Sequence, residues 1–273
     1  MKRFAIGAAE VGGPRLLVIA GPCVVESADL CLKVASHLKA ACAARDLPFV
    51  FKASYRKANR SSGRAFAGLP ADEALAVLAR VRRELAVPVL TDVHEVSEVA
   101  GAAEVADALQ IPAFLCRQTA LLEAAARTGK PVNVKKGQFL APEDMAHVVE
   151  KLTGAGGERI LLTERGTTFG YHDLVVDMRG LVAMRALGWP VVYDATHSLQ
   201  RPGGPETGGD RRFAFPLMRA AVACGVDALF FESHPDPARA LSDAGTQLPL
   251  AEAEAFLDDA RRVRDAVTER AHA

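Results

Sequence analysis

The feature that most limits how this chain can fold is a regular alternation of two kinds of segment from one end to the other. Short β-rich runs occur at LLVIAG (16–21), FVFKAS (49–54), VPVLTDV (87–93), ALQIPAF (108–114), PVNVKK (131–136), RILLTER (159–165), PVVYDATH (190–197) and DALFFES (227–233). Between them, and after the last, lie longer Ala/Leu/Arg/Glu-rich amphipathic stretches near 29–46, 72–85, 95–105, 119–128, 142–153, 174–187, 216–224 and 251–270. Strands that alternate with helices pair in parallel through right-handed crossovers. Eight such units in 273 residues predict an α/β fold of the closed (β/α)8 TIM-barrel type, as a single domain over 1–273. An open doubly wound sheet is the alternative, but it calls for a Gly-rich fingerprint after its first strand. Here that strand runs into AGPCVVES, which has none. The opening MKRFAIG is expected to add a small strand or hairpin closing the barrel bottom.

In this architecture the strand C-termini and the loops after them carry the chemistry. Each predicted strand ends in residues ill suited to a core: Cys23 and Glu26, Lys52 and Ser54, Asp92 and His94, Gln110, Lys135 and Lys136, Arg165, Asp194 and His197, Glu232 and His234. A lone Lys at a strand end is usually a solvated loop residue. Lys52, Lys57, Arg60, Lys135, Lys136 and Arg165 together concentrate positive charge at one mouth. Lys+Arg and Asp+Glu both number 33, so that charge is local and not global. The balance argues against a nucleic-acid or membrane-surface role and for small anionic ligands held by charge-assisted hydrogen bonds. KANRSSGR (57–64) adds hydroxyl residues beside Arg60, a composition suited to phosphate.

Cys23, His197, Glu232 and Asp243 make a second group at the same mouth. A strand-end Cys is commonly a buried apolar residue and a lone His commonly structural. Together, though, a thiolate, an imidazole and two carboxylates suit a borderline divalent ion (Zn2+, Fe2+ or Mn2+) better than Mg2+ or Ca2+. The five cysteines are odd in number and scattered, and no apolar run has the length of a secretory core or a bilayer span. A reduced, cytoplasmic setting is expected. Cys31, Cys42 and Cys224 read as packing residues, and His37 and His147 as exposed helix positions.

AGPCVVES, FKASYRKANRSS, TDVHE, QIPAFLCRQT, NVKKGQF, LTERGTTFGY, YDATHSLQ, FFESHPDP and SDAGTQLPL follow one another from residue 20 to 250. In that order they resemble the 3-deoxy-D-manno-octulosonate 8-phosphate synthase family. The resemblance implies condensation of phosphoenolpyruvate with D-arabinose 5-phosphate and water, giving the eight-carbon 3-deoxy acid phosphate and inorganic phosphate in lipopolysaccharide biosynthesis. It assigns Lys52, Ser54, Lys57, Gln110, Lys135 and Arg165 to phosphoenolpyruvate and Asn59, Arg60 and Ser61 to the sugar phosphate. Asp92 and His94 fall near the sugar hydroxyls, Ala113 in the substrate wall, and Arg117 at a sugar phosphate bound in a neighbouring subunit, which implies a homotetramer. Lys52, Lys57, Asp92, His94 and Lys135 are the residues expected to act on the reacting groups.

Within this family Cys in the first-strand motif marks the metal-dependent branch and Asn the metal-free one, so Cys23 implies a metal with His197, Glu232 and Asp243 as its partners. Three departures stand out. Arg56 occupies a position where the family usually has Asp, QRPGGPETGGDRR (200–212) lacks the usual Lys-Ser-Gly-Gly, and GYHDL (170–174) replaces a more Asn-rich sequence. The nearest rival is 3-deoxy-7-phosphoheptulonate synthase, which uses erythrose 4-phosphate; KANRSS stands where that family carries Lys-Pro-Arg-Thr. A non-catalytic binding barrel would not need the full ligand set, and a metal-dependent aldolase would not need so many anion-binding groups.

Overall fold

A computed structural model describes residues 1–58, 66–169, 172–202 and 208–270. Eight parallel strands form the barrel: β1 (Leu17–Gly21), β2 (Phe49–Lys52), β3 (Val89–Asp92), β4 (Ala108–Ile111), β5 (Val132–Lys135), β6 (Ile160–Glu164), β7 (Val191–Asp194) and β8 (Ala228–His234). Each pairs with the next in sequence, and β8 pairs with β1 (Leu229 opposite Val18), which closes the barrel. Around it lie α1 (Ala28–Ala43), α2 (Ala71–Leu85), α3 (Val99–Val105), α4 (Thr119–Arg127), α5 (Met145–Gly154), α6 (Met178–Ala186), α7 (Ala214–Ala223) and α8 (Ala253–Arg270).

The strands are buried on both faces, and successive side chains divide between two cores, as a period of two requires. Val18, Ala20, Phe51, Leu109, Val134, Leu162, Tyr193 and Phe231 face the helices. Leu17, Ile19, Val50, Leu90, Ala108, Leu161, Val192, Ala228 and Phe230 fill the barrel interior. Ile6, Ala9 and Val11 of an N-terminal hairpin (Phe4–Ile6 antiparallel to Ala9–Val11) join that interior cluster. The hairpin is therefore the bottom plug that the opening residues suggested. Two residues beyond the apolar layer, the inward positions turn polar: Lys52 after Val50, Asp92 after Leu90, Gln110 after Ala108, Asp194 after Val192 and Glu232 after Phe230. One end of the barrel is sealed with hydrocarbon and the other is lined with charge.

Several boundaries differ from the sequence reading. The stretch 174–187 is not one helix: Leu174–Val175 pairs antiparallel with Thr167–Thr168, and α6 starts only after Asp177, whose carboxylate accepts from Arg179 N. An Asp that can cap the orphan N–H groups favours a start there. α7 starts at Ala214 with Pro216 in its first turn, where a missing N–H costs nothing. Gly21 lies so close to β2 that a Cβ would collide with the Lys52 carbonyl, so only glycine lets the chain leave β1 here toward Cys23. Among the described residues no helix is long and apolar enough to cross a membrane.

Candidate active site

A pocket at the polar end of the barrel is lined by Lys52, Lys57, Asp92, His94, Gln110, Ala113, Lys135, Arg165 and His197, all singled out from the sequence. Pro112, Phe114 and Gln138 also line it and were not. Gln138 lies three residues past β5 with its Oε1 buried and unpartnered among the described residues.

Lys52 is buried on β2, and its ammonium donates to Cys23 O (3.1 Å), Ser54 Oγ (3.0 Å) and Glu232 Oε1 (3.0 Å). Lys57 Nζ lies 3.8 Å from the same Glu232 oxygen. Burial opposes charge on Lys57, but the acidic groups Cys23, Glu232, Asp92 and Asp243 outweigh it and hold the ammonium above its ordinary range. Lys135 Nζ donates to Asp194 Oδ2 at 2.6 Å and stands 3.7 Å above the Phe230 ring. Burial lowers its pKa, with Asp194 only partly opposing. Arg165 differs from these three. Its Nη2 donates to Gln200 Oε1 (2.8 Å), while Nε and Nη1 are buried with no hydrogen-bond partner among the described residues. Among those residues no carboxylate lies within ion-pair distance of it, and burial lowers its pKa as well. A cation held this way is suited to an incoming anion.

Asp92 is the sink of a one-way chain of hydrogen bonds across the barrel. Thr163 Oγ1 donates to Asn133 Oδ1 (2.6 Å), Asn133 Nδ2 to Gln110 Oε1 (2.9 Å), and Gln110 Nε2 to Asp92 Oδ1 (2.5 Å). From the other side Ser54 Oγ donates to Asp92 Oδ2 (2.5 Å). Burial pushes the Asp92 carboxyl up, but Lys52, Lys57, His94 and the Ser54 bond outweigh it, and its pKa ends well below the usual range. Ser54 thus acts on Asp92 and does not line the pocket. Asn133 and Thr163 were missed; strict inward–outward alternation along β5 and β6 would have flagged both.

The thiol–imidazole–carboxylate group assembles. One ligand atom each from Cys23, Glu232 and Asp243 lies within 4.8 Å of the others, with Cys23 Sγ 3.3 Å from Asp243 Oδ2. His197 Nε2 lies 3.7 Å from Glu232 Oε1 and 3.6 Å from Asp243 Oδ2. Asp194 accepts from the backbone N–H groups of Thr196 and His197 and faces His197 Nδ1 at 2.8 Å. An ionised carboxylate can only accept, so Nδ1 carries the proton and Nε2 turns its lone pair to the cluster, the orientation that metal-ligating histidines take from their outer partner. Glu232 Oε2 is fully buried and unpartnered among the described residues. A buried anionic oxygen without a donor is what a cation would satisfy, so the residues fit a divalent ion.

One expectation for the anion-binding face changes. Lys136 does not join the anion-binding face: it is buried behind the pocket wall, donating to Leu140 O and Thr167 Oγ1 and facing Glu164 Oε2 at 3.6 Å. On a strand, its neighbour Lys135 takes the inward side and Lys136 the opposite one. Arg117 is exposed on the turn after β4, outside the pocket of its own chain. Asn59, Arg60 and Ser61 lie outside the described residues.

Residues 5–269 match the family described as the DAHP synthetase I family. The chain is 55% identical over 259 residues to the 2-dehydro-3-deoxyphosphooctonate aldolase of Trichlorobacter lovleyi, covering 94% of this chain and 95% of that one. It is 54% identical over 271 residues to the protein of the same name from Syntrophobacter fumaroxidans (97% and 94% covered). The like-named protein of a Cyanothece species is 53% identical over 257 residues (93% and 94% covered).

Proposed function

The chain belongs to the DAHP synthetase I family, and we propose that it acts as its aldolase relatives are named, as a 3-deoxy-D-manno-octulosonate 8-phosphate synthase. In this reading phosphoenolpyruvate, D-arabinose 5-phosphate and water give the eight-carbon 3-deoxy acid phosphate and inorganic phosphate. The observation that carries the reading is the pairing of the pocket cations. Lys52 and Lys57 are tied to Glu232 and Lys135 to Asp194, while Arg165 keeps two nitrogens, Nε and Nη1, without a hydrogen-bond partner among the described residues. That is a fixed seat for one phosphate or carboxylate, with three further ammonium groups in reach of the second anion.

C3 of phosphoenolpyruvate must meet the sugar aldehyde while water adds at C2, and phosphate then leaves with C–O cleavage. Two phosphorylated substrates repel each other in water. Buried cations fixed before binding offset that repulsion and hold the reacting carbons together without reorganisation. In this reading Arg165 and Lys135 would hold phosphoenolpyruvate, and Asp92 and His94 the hydroxyl side of the aldose. Cys23, His197, Glu232 and Asp243 would hold the divalent ion (Zn2+, Fe2+ or Mn2+), which when bound supplies Lewis acidity toward an aldehyde oxygen or a water. The exposed Arg117 is available to a sugar phosphate in a neighbouring subunit of a homotetramer, and the enzyme would act in the cytoplasm.

The test is phosphate release from phosphoenolpyruvate with each aldose phosphate in turn. Arabinose 5-phosphate should support turnover at least about tenfold faster than erythrose 4-phosphate, as one well-placed polar contact can enforce. Faster turnover with erythrose 4-phosphate would overturn the assignment in favour of the heptulosonate reaction.

A further inference from the structure

His94 reaches the pocket wall two residues after Asp92, and its ring is held from behind by a residue that the reaction has not so far needed. Glu98 Oε2 accepts from His94 N (2.8 Å) and lies 3.2 Å from His94 Nδ1. The turn Val96–Glu98 brings this carboxylate back over the loop, and Glu98 Oε2 also faces Glu95 N at 3.4 Å. The other oxygen, Glu98 Oε1, is held by Arg56 Nη2 at 3.0 Å, from the loop after β2. The Tyr55 ring stands 6.0 Å from the imidazole and tilted to it. The His94 side chain is 6% exposed and that of Glu98 15%.

An ionised carboxylate only accepts, so the proton must sit on His94 Nδ1. Nε2, at the far edge of the ring, is then left as an acceptor. Burial pushes the Glu98 carboxyl up, yet Tyr55, the His94 N–H and Arg56 outweigh it and hold it below its ordinary range. Asp92 is held separately, its two oxygens accepting from Ser54 and Gln110.

We propose that Glu98, anchored by Arg56, is a positioning residue that fixes His94 as the Nδ1–H tautomer, so that Nε2 accepts a hydrogen bond from an aldose hydroxyl. This rests on reading the pocket as the condensation site. It also accounts for the unusual cation at position 56, since Arg56 keeps Glu98 charged and in register across two barrel loops.

Two readouts test it. In histidine-labelled protein studied by nitrogen NMR well above the ordinary histidine range, with His94→Ala assigning the signal, the wild type should show Nδ1–H. Glu98→Ala should show a tautomer mixture. In steady-state kinetics Glu98→Ala should lower kcat/KM for arabinose 5-phosphate about tenfold, the scale of one hydrogen bond, with KM for phosphoenolpyruvate within about twofold. Glu98→Gln, whose amide oxygen can still accept from Nδ1–H, should recover to within about threefold of wild type and guards against a folding failure of the alanine variant. An unchanged tautomer in Glu98→Ala, or a changed tautomer with unchanged kinetics, would overturn the proposal. A wild type inactive with arabinose 5-phosphate would instead overturn the functional reading, while the NMR arm would still report on the Glu98–His94 contact.

Discussion

Replacing Arg165 by methionine should make the ligand-free protein more stable and the enzyme far worse. Arg165 is 5% exposed, satisfies one donor on Gln200, and leaves Nε and Nη1 unpartnered among the described residues. Each buried unsatisfied donor costs about 1–3 kcal/mol, and a hydrogen bond to a charged group contributes about 1.5–3 kcal/mol. Methionine keeps most of the volume, removes both unsatisfied donors and gives up the Gln200 bond, for a net gain of about 2 kcal/mol at the middle of these ranges. For a domain of this size each kcal/mol moves Tm by about 2–4 °C, so Tm should rise by about 4–8 °C. Truncating one partner of a buried charge pair costs about 2–5 kcal/mol, or roughly 30- to several-thousand-fold in kcat/KM for phosphoenolpyruvate. The assay is thermal unfolding in phosphate-free buffer alongside steady-state kinetics at one fixed metal loading. Added phosphoenolpyruvate should raise Tm of the wild type and not of the variant. A Tm lowered by several degrees, or a kcat/KM within about threefold of wild type, would mean that Arg165 is a structural cation and not a waiting anion seat.

Two further outcomes follow from the site. Asp92 titrates below its ordinary range, so its ionised form stabilises the fold above the unfolded-state pKa of about 3.9 and that contribution disappears as pH falls toward the folded value. The stability gap between wild type and Asp92→Asn, read by thermal unfolding, should be widest above about pH 5 and narrow progressively as pH falls below about 4 toward the folded value; a gap that stays constant from about pH 5 down to the lowest pH at which both proteins remain folded contradicts the assignment. Exhaustive chelation should abolish turnover, and Zn2+, Fe2+ or Mn2+ should restore it. Full activity after chelation would refute a catalytic role for Cys23, His197, Glu232 and Asp243 as ligands.

The barrel was legible because its signal is periodic. Eight apolar runs at regular spacing state the topology, and the polar residues two positions past each apolar layer mark the open end. What the runs did not carry was the sense of individual side chains. Lys135 and Lys136 are adjacent and identical in type, yet one faces Asp194 in the pocket and the other Glu164 behind it. Only the phase of β5, set by its pairing with β4 and β6, separates them. Asn133 and Thr163 went unread for the same reason: each looks like an ordinary strand residue until the chain of donors converging on Asp92 is traced. The ligand group was legible as a set of types, but its convergence depends on barrel closure between β8 and β1, which brings Cys23 to Glu232 across most of the sequence. Glu98 was invisible because it acts through a local turn that carries no pattern of its own.

If this mouth joins the two phosphorylated substrates, phosphate leaves from carbon and carries the bridging oxygen with it. Phosphoenolpyruvate carrying a heavy oxygen isotope in the bridging C–O–P position, incubated with the purified protein and arabinose 5-phosphate, tests it by mass spectrometry. One labelled phosphate is expected for each eight-carbon 3-deoxy acid phosphate formed. Unlabelled phosphate, or no phosphate release that depends on arabinose 5-phosphate, would contradict it.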